Sequence, residues 1–345
     1  MDKVILKKLQ KWFCENAESL PWRPCVLETL RDPYAVWISE TMLQQTQVAT
    51  VKDYFVRWMK RFPDLDSLAK ANEAEVFKFW QGLGYYNRAK NILKTAKIVA
   101  PQMPDSRKEL EALPGIGAYT AGAILSLAFH KNEAILDGNL VRIFSRFYAL
   151  DFLPDSAIHK EIYWDKARLV ACGEKAFLRN EALMELGRNV CKVKNPACEK
   201  CPLKSKCFAF QNNLIEKFPP KKDRVYKHWY GVIFVVQSAD KKFFITENSE
   251  FFLKNQKVFP HFPIGETEAR GIPARVDTFL NGLEVTDFFY GKDINHSITH
   301  FKISMRTLFL NVTQNAPKNS SWISKKELKD LPSSLCKKVL NALKI

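Results

Sequence analysis

The pattern of apolar and polar positions divides the chain into a helical part and a strand-forming part. Up to about residue 210, apolar residues recur at helical spacing, and Asp32-Pro33 predicts the N-cap and first turn of one helix. Connectors carry Pro or Gly, as in Gly82-Leu83-Gly84. Further helical runs are predicted around residues 50–61, 73–81, 88–100, 106–112, 118–130 and 140–149. The pattern predicts an all-α domain over residues 1–210.

A polar stretch rich in Pro and Lys, residues 211–224, breaks the helical pattern and is typical of a linker. Beyond it, the texture changes to short β-branched and aromatic runs. These runs predict strands and one closing helix, at Trp229–Val236, Lys242–Thr246, Phe301–Val312 and Ser333–Leu343. The fold class predicted is therefore α+β, with a helical domain followed by a small α/β domain over residues 225–345.

Composition and charge restrict the partners. The chain has 345 residues, 46% of them hydrophobic, which is enough to form about two domain cores. Its formal charge of +16 favours nucleic acid or an anionic surface. No apolar run approaches the roughly 20 residues of a membrane span, and the N-terminus resembles neither a secretory nor a transit peptide. Isolated cysteines are typical of a reducing compartment, so a cytoplasmic protein is predicted: Cys14, Cys25, Cys172 and Cys336.

Four other cysteines lie close together, with the spacing C-x6-C-x2-C-x5-C: Cys191, Cys198, Cys201 and Cys207. So short a loop suits four thiolates around one soft metal centre better than two disulfides between distant elements. Zinc is the alternative, although structural four-cysteine zinc sites usually show two C-x2-C pairs and this loop has one. Cubane iron–sulfur clusters tolerate uneven spacing, so the pattern favours an iron–sulfur cluster. Basic residues crowd the loop and indicate a polyanionic partner.

The segment Leu113-Pro114-Gly115-Ile116-Gly117 joins two predicted helices. Glycines two residues apart let such a turn present backbone N–H groups at the start of the next helix, where they can bind a phosphate. A plain interhelical turn is the ordinary use of the same residues. In a basic chain that also carries the cysteine loop, the phosphate-binding interpretation is favoured.

Two carboxylates have contrasting surroundings in the sequence. Glu40 is flanked one turn away by Val36, Trp37 and Leu43, so it emerges from an apolar helix face where desolvation favours the neutral acid. Asp137 precedes a predicted helix, and an N-cap Asp should stay ionised because it accepts backbone N–H bonds. Either residue alone has a purely structural explanation. Together they predict one proton donor and one stabilising anion, as glycosidic cleavage requires.

These segments carry a resemblance to a known family. The hairpin and the cysteine loop resemble those of DNA glycosylases in the endonuclease III superfamily, including its [4Fe–4S] spacing. SETMLQQTQV, GLGYYNRAK, LPGIGAYTAGAI, LDGN and NEALMELG, in this order before the cysteines, closely resemble the MutY-type adenine DNA glycosylases over nearly all of residues 20–210. The resemblance implies a six-helix barrel with an iron–sulfur module. It also implies a monomer that hydrolyses the N-glycosidic bond of adenine opposite 8-oxoguanine or guanine in double-stranded DNA.

The resemblance also implies roles for individual residues. Glu40 would protonate the adenine and later activate water, and Asp137, with Asn139 beside it, would stabilise the sugar cation. Tyr119 occupies the position of the Schiff-base lysine of bifunctional relatives, which implies a monofunctional enzyme. DNA contacts would come from Gln45 and Tyr85 in the base stack, Thr46 and Leu83 near the opposing lesion, Arg23 and Glu181 around the extruded base, and Gly115 and Gly117 in the hairpin.

The C-terminal part resembles, more loosely, the Nudix-like domain with which this family senses 8-oxoguanine. It lacks the Nudix catalytic box, so a reader domain without hydrolase activity is predicted. In His296–Phe301, Thr299 and His300 align with the family's lesion-contacting Ser-His. Two alternatives stay open: a glycosylase of the same superfamily that acts on thymine, uracil or oxidised pyrimidines, and a non-catalytic iron–sulfur protein that binds DNA.

Overall fold

The computed structural model describes residues 1–23, 31–221, 225–247, 257–264, 284–298, 301–313, 321–331 and 334–343. The chain divides into two compact units, Met1–Lys222 and Asp223–Ile345. Described helices of the first unit are α1 (Lys3–Asn16), α2 (Pro33–Leu43), α3 (Val48–Arg61), α4 (Leu65–Ala69), α5 (Glu73–Trp80), α6 (Asn87–Val99), α7 (Arg107–Glu111), α8 (Ala118–Leu127), α9 (Gly138–Tyr148), α10 (Ala157–Val170), α11 (Ala176–Asn189) and α12 (Phe208–Gln211).

Helices α2 and α8 form the centre of the first unit. Asp32 caps α2 by accepting the Tyr34 N–H at 2.9 Å, and Pro33 occupies the first turn as predicted. Nearly every residue of both helices is buried, and the two helices pack against each other. A polar side chain on either helix must therefore point into the core or into a cavity. In the part of the chain that the structure describes, no helix is long and apolar enough to cross a bilayer.

The predicted linker begins too early for what the structure shows. Short helical turns continue through α12 and Ile215–Lys217. Phe218 is only 5% exposed, and the guanidinium Nε of Arg146 donates to its carbonyl oxygen at 3.0 Å. Composition missed this because one buried aromatic anchors an otherwise polar stretch. The two units divide after Lys222.

The second unit is a sheet with helices. Its described elements are β1 (Lys227–Gln237), β2 (Phe243–Phe244), β3 (Thr246–Glu247), β4 (Lys257–Val258), β5 (His261–Pro263), β6 (Val285–Tyr290), β7 (Ile294–Ile298), β8 (Phe301–Val312), β9 (Trp322–Ile323), α13 (Lys325–Asp330) and α14 (Ser334–Leu343). The main sheet has the order β6-β8-β1-β2-β9, with β5 also on β1 and β7 also on β8. Strands β3 and β4 form a separate pair.

Strand β1 is central and buried on both faces. It runs parallel to β8 from Lys227, opposite Phe301, to Gln237, opposite Asn311. Ile233 faces a core that includes residues of α14, while Phe234 faces a second core on the other side. A strand covered on both faces reads as a continuous apolar run, which explains the predicted strand at 229–236. The structure confirms the strands predicted at 229–236 and 301–312, which correspond to β1 and β8. Their parallel pairing was not predicted.

Candidate active site

Glu40 lies in the middle of α2, where its side chain is 4% exposed. The neighbouring hydroxyls of Ser39 and Thr41 donate to carbonyl oxygens of the preceding helical turn. Tyr119, in the first turn of α8, donates its hydroxyl to Glu40 Oε2 at 2.7 Å. The packing of α2 on α8 therefore brings together two residues 79 positions apart, and Tyr119 fixes one oxygen of the carboxylate.

Burial dominates the protonation of this pair. It raises the pKa of Glu40 to about 7, while the Tyr119 hydrogen bond favours the carboxylate. The negative charges of Asp137 and Glu181 raise the pKa of Glu40 further. The pKa of Tyr119 is raised well above its usual value, so its hydroxyl keeps its proton. The prediction that desolvation favours neutral Glu40 is confirmed, and near neutral pH the group can either donate or accept a proton.

Asp137 is the N-cap of α9, as its position before the helix predicts. Its Oδ1 accepts the Leu140 N–H at 2.8 Å, and the Asn139 amide donates to its Oδ2 at 3.0 Å. The capping bonds favour the ionised acid, as predicted, but burial acts against them. Burial raises the pKa of Asp137, and the hydrogen bonds from Leu140 and Asn139 offset this only in part. Both carboxylates are thus shifted upward, and the capping bonds oppose the shift at Asp137.

A chain of hydrogen bonds joins Asp137 to the cysteine loop. Arg142, one turn after Asn139, donates Nη2 to Asn139 Oδ1 at 2.7 Å and Nε to the carbonyl oxygen of Cys191 at 2.7 Å. Arg142 Nη2 also reaches the carbonyl of Gly187 at 2.9 Å. A Cβ at Gly187 would lie 2.7 Å from the Asn139 Cβ, so only glycine permits this contact. Asn139 is therefore held from two sides.

A buried ionic network forms another wall. Arg31 binds both oxygens of Glu181, with distances of 2.5 and 2.6 Å, and Arg23 Nη2 donates to Glu185 Oε2 at 2.9 Å. Arg23 also approaches Glu181 at 3.7 Å. The side chains of Arg23, Arg31, Glu181 and Glu185 are each less than 10% exposed, and the less buried Arg188 also pairs with Glu185, so every charge of the network has an opposite partner.

These groups surround one cavity of about 950 Å³. It is lined by eight of the residues predicted for the site, Glu40, Tyr119, Asp137, Asn139, Arg23, Glu181, Gln45 and Thr46. Lys192 contributes positive charge to the lining, next to the cysteine loop, and Arg188 also lines the cavity but is paired with Glu18 and Glu185. The cavity is large enough for a nucleobase and sugar, and it combines a neutral acid, a carboxylate and a basic rim.

The remaining predicted DNA contacts lie outside this lining. Tyr85 is 60% exposed, and both Tyr85 and Gln45 have left-handed backbones, with φ of 49° and 58°. Leu83 is only 6% exposed and belongs to the helical core. In the hairpin, Gly115 has φ of 79° and Gly117 caps α8 without a side-chain bond. The predicted turn between two helices is thus present.

The four loop cysteines carry free thiols and lie within electrostatic range of one another. Burial raises the pKa of Cys201 to about 12, although the Leu203 N–H bonds to its sulfur. Arg146 Nη1 contacts Cys191 Sγ at 3.4 Å. Cysteine sulfurs with N–H donors suit a positively charged centre that stabilises thiolates. Within the described residues, however, no group of three or more Cys, His or acidic side chains is placed so that it could hold a metal ion.

The predicted lesion-contacting residues cannot be located. Strand β7 ends at Ile298 and β8 begins at Phe301, and Thr299 and His300 lie outside the described residues.

Three arginines that sequence reasoning did not single out are part of this site or next to it. Arg142 lies three residues after Asn139 on the same helix face, which was a usable signal. Arg31 directly precedes the Asp32 cap, and Arg88 lies within the GLGYYNRAK segment. Their partners come from other helices and loops, so only the folded structure identifies them.

Comparisons with known proteins agree with this geometry. Residues 38–167 match the HhH-GPD superfamily base excision DNA repair protein family. The adenine DNA glycosylase of Rattus norvegicus is 41% identical over 213 residues, 59% of this chain and 41% of that protein. The chain thus spans less than half of that relative. A solved thermostable thymine-DNA glycosylase is 27% identical with a TM-score of 0.54, covering 61% of this chain and 96% of that one.

One relative aligns from end to end. The adenine DNA glycosylase of Buchnera aphidicola subsp. Schizaphis graminum is 33% identical over 348 residues, 95% of each chain. The matched HhH-GPD region contains Glu40, Tyr119, Asp137 and Asn139. The chain therefore belongs to the adenine DNA glycosylase family of the HhH-GPD superfamily.

Proposed function

We propose that this protein is a monofunctional glycosylase that removes adenine opposite 8-oxoguanine or guanine and leaves an abasic site. The observation that carries the proposal is Glu40, buried on α2 with a pKa raised to about 7 and bonded to Tyr119 beside Asp137. The superfamily alone leaves the base open, and the end-to-end adenine DNA glycosylase relative favours adenine. Release of free adenine from a duplex with one A opposite 8-oxoguanine tests it.

Glu40 and Asp137 would divide the reaction between them, and each proton and electron pair has a destination. Neutral Glu40 transfers its proton to the adenine ring as the N-glycosidic bond breaks, and the bonding electron pair leaves with the base. Asp137 in its ionised form stabilises the oxocarbenium-like sugar. Glu40, now a carboxylate, takes a proton from the water that adds to the sugar carbon, which regenerates the acid. Tyr119 supplies no amine for an imine, so the sugar–phosphate backbone stays intact.

The Arg31–Glu181 wall gives the pocket polar groups for a purine. Glu181 and Arg23 are the residues that we assign to contacts with the extruded base. Because Arg31 holds both oxygens of Glu181, that carboxylate is oriented before DNA arrives. A base with an exocyclic amino group can donate to such a carboxylate, whereas thymine presents carbonyl oxygens there.

The rate of adenine release should have a falling alkaline limb. Because Glu40 must be protonated and its pKa is about 7, single-turnover rates at saturating enzyme should drop above pH 7, tending to tenfold per pH unit. On the acid side the rate should fall as Asp137 takes up a proton, at a pH above its ordinary value. Glu40→Gln should abolish the alkaline limb. A flat profile from pH 6 to 9 would remove Glu40 as the acid.

A [4Fe–4S] cluster is the group that we assign to Cys191, Cys198, Cys201 and Cys207. Its free thiols, sulfur-directed N–H groups and the adjacent Arg146 fit such a centre. When bound there, the cluster supplies structural support rather than reaction chemistry. Arg142 would transmit that support, because it bonds both the backbone of Cys191 and the Asn139 amide.

Protein purified without oxygen should contain about four irons per chain with matching sulfide, giving visible absorption. Cys201→Ser should lose most of the iron and lower the melting temperature, because the loop then lacks its bracing centre. Cys14→Ser is the matched control, since Cys14 is exposed on α1 and should leave iron content unchanged. One zinc per chain and no iron would overturn the assignment.

We assign the second unit to reading the base opposite the adenine, as a Nudix-like domain that includes Thr299 and His300. Gln45, Thr46, Tyr85 and the hairpin glycines would hold the duplex from the helical unit, and Leu83, whose side chain is buried in the core, would act through the position of its loop. The protein would act as a monomer in the cytoplasm. The separate core of the second unit supports an independent role.

Truncation after Lys222 should leave adenine release intact but reduce the preference for 8-oxoguanine over guanine. Each lost hydrogen bond to the lesion should contribute on the order of 1 kcal/mol, about fivefold in the rate ratio. Melting of the truncated chain serves as the control for folding. If the domain only added phosphate contacts, both substrates would weaken equally and the salt dependence would fall. An unchanged ratio in a well-folded truncation would remove the reader role.

A further inference from the structure

Arg88, at the second position of α6, connects two loops on the surface of the helical unit. The first loop comprises residues 44–47, between α2 and α3, and the second comprises residues 81–86, between α5 and α6. The guanidinium donates to carbonyl oxygens on both sides. At the end of α2 and the start of the first loop these are the carbonyls of Thr41, Met42 and Gln44, at 2.8, 3.2 and 2.6 Å. In the second loop they are those of Leu83 and Gly84, at 3.1 and 3.3 Å.

Carbonyl oxygens and aromatic faces, rather than carboxylates, compensate the positive charge of Arg88. Among the described residues, no carboxylate lies within ion-pair distance of it. Its partners are the carbonyls at the C-terminus of α2, where the helix dipole is negative, and the faces of Trp80 and Tyr85 at 5.2 and 5.4 Å. A guanidinium held by five carbonyls restrains both backbones at once.

Both loops contain a residue in a conformation that needs such restraint. Gln45 and Tyr85 have φ of 58° and 49°, which costs a non-glycine residue about 1–2 kcal/mol. The bonded carbonyls of Gln44 and Gly84 belong to the residues directly before them. Both Gln45 and Tyr85 are exposed, so packing of their own side chains does not fix these backbones.

We propose that Arg88 is a positioning residue that fixes the separation of the two loops, so that Gln45 and Tyr85 enter the DNA base stack together. This rests on the proposed function, because it assumes that the two side chains enter a duplex. In the absence of Arg88, each loop relaxes separately. Only one of the two side chains, or neither, then enters the base stack. The effect appears in binding and base unstacking, and excision falls in consequence.

A second arginine offers a matched control. Arg179 on α11 is 7% exposed and donates to the carbonyls of Val170, Cys172, Gly173 and Glu174, at the end of α10. It therefore has the same kind of partners, away from both loops. Arg179→Met should lower the melting temperature as Arg88→Met does, and it should leave duplex distortion unchanged.

The test is a double-mutant cycle between Arg88→Met and Tyr85→Ser in the full chain, made in a Glu40→Gln background so that the substrate stays intact. The probe is a duplex with A opposite 8-oxoguanine and 2-aminopurine beside the lesion, whose fluorescence rises on unstacking. Loss of one base–aromatic stack should weaken binding about tenfold. Tyr85→Ser should weaken binding by this factor when Arg88 is retained. It should weaken binding no further when Arg88 has been replaced by Met.

The outcomes separate the possibilities. Arg88→Met should weaken binding at least as much as Tyr85→Ser and abolish the fluorescence rise, while Arg179→Met keeps both. Losses that multiply in the double variant, or an intact fluorescence rise in Arg88→Met, would overturn the positioning role. Arg88→Lys carries the same cycle if Arg88→Met does not fold. Adenine release is measured separately in the chain that retains Glu40. If that chain releases adenine but the binding losses multiply in the double variant, only the positioning role of Arg88 is contradicted. If it releases no adenine, the proposed function is overturned, and this inference with it.

Discussion

Glu40→Gln should lower the single-turnover rate of adenine release by about 10³-fold, within the 10²–10⁴ range of general acid catalysis. Glutamine keeps the shape of the side chain and can still accept the Tyr119 hydroxyl, but it has no acidic proton for the leaving base. Affinity for the A:8-oxoguanine duplex should stay within a few fold of the unchanged protein. Rates from quenched reactions and affinities from titration of labelled duplex separate the two effects.

The same substitution should stabilise the fold in alkaline solution. The folded-state pKa of Glu40, about 7, lies above its ordinary value of 4.5, so ionising it opposes folding. The cost begins as pH rises through 4.5 and reaches its full size, at most about 3 kcal/mol, above pH 7. Glu40→Gln removes that cost, so its free energy of unfolding should exceed that of the unchanged protein at pH 8 and approach it near pH 4. Substantial excision by Glu40→Gln would contradict the role of Glu40 as the acid. Lower stability of the variant at pH 8 would contradict the raised pKa of Glu40.

Asp137→Asn should lower the rate of adenine release by about 10²–10³-fold, the usual cost of removing one preorganised electrostatic group from a transition state. Asparagine is as good an N-cap as aspartate, so the bond from the Leu140 N–H and the helix α9 should persist. The loss therefore reports the negative charge and not the fold. Circular dichroism melts of the variant at neutral pH should lie at or above those of the unchanged chain, because burial raises the pKa of Asp137 and its ionisation opposes folding.

Asp64→Asn is the matched control for this experiment. Asp64 caps α4 by accepting the Ser67 N–H at 2.8 Å, and it does not line the cavity. The same chemical change at this cap should leave excision unaltered. An Asp137→Asn variant that excises adenine like the Asp64→Asn control would show that the sugar cation needs no anion at position 137.

Local pattern was enough to predict the burial of Glu40 and the helix cap at Asp137. The apolar neighbours of Glu40 on one helix determine its burial and hence the direction of its pKa, and an Asp before an apolar helix caps it. The upward influence of burial on the pKa of Asp137 was not predicted, because capping bonds can be read from sequence, whereas burial by other helices cannot. Linker length failed for a similar reason, since Phe218 is held by Arg146, 72 residues away.

The long-range features are those that no local pattern encodes. Strands β1 and β8 begin at Lys227 and Phe301, and their parallel register depends on the whole second unit. Arg31, Arg88 and Arg142 look like surface arginines in the sequence. Each gains its role from partners on a different element, such as Glu181 for Arg31. Such residues connect the pocket, the loops at residues 44–47 and 81–86, and the cysteine loop.

We propose that the cavity around Glu40 and Asp137 is where adenine is excised. The most direct measurement incubates the full chain with three duplexes that differ at one pair, A opposite 8-oxoguanine, T opposite G and U opposite G, and then analyses the released bases by chromatography. We expect free adenine from the first duplex, with a strand that breaks only after alkali, and no base from the others. Release of thymine or uracil, or an intact first duplex under saturating enzyme, would contradict it.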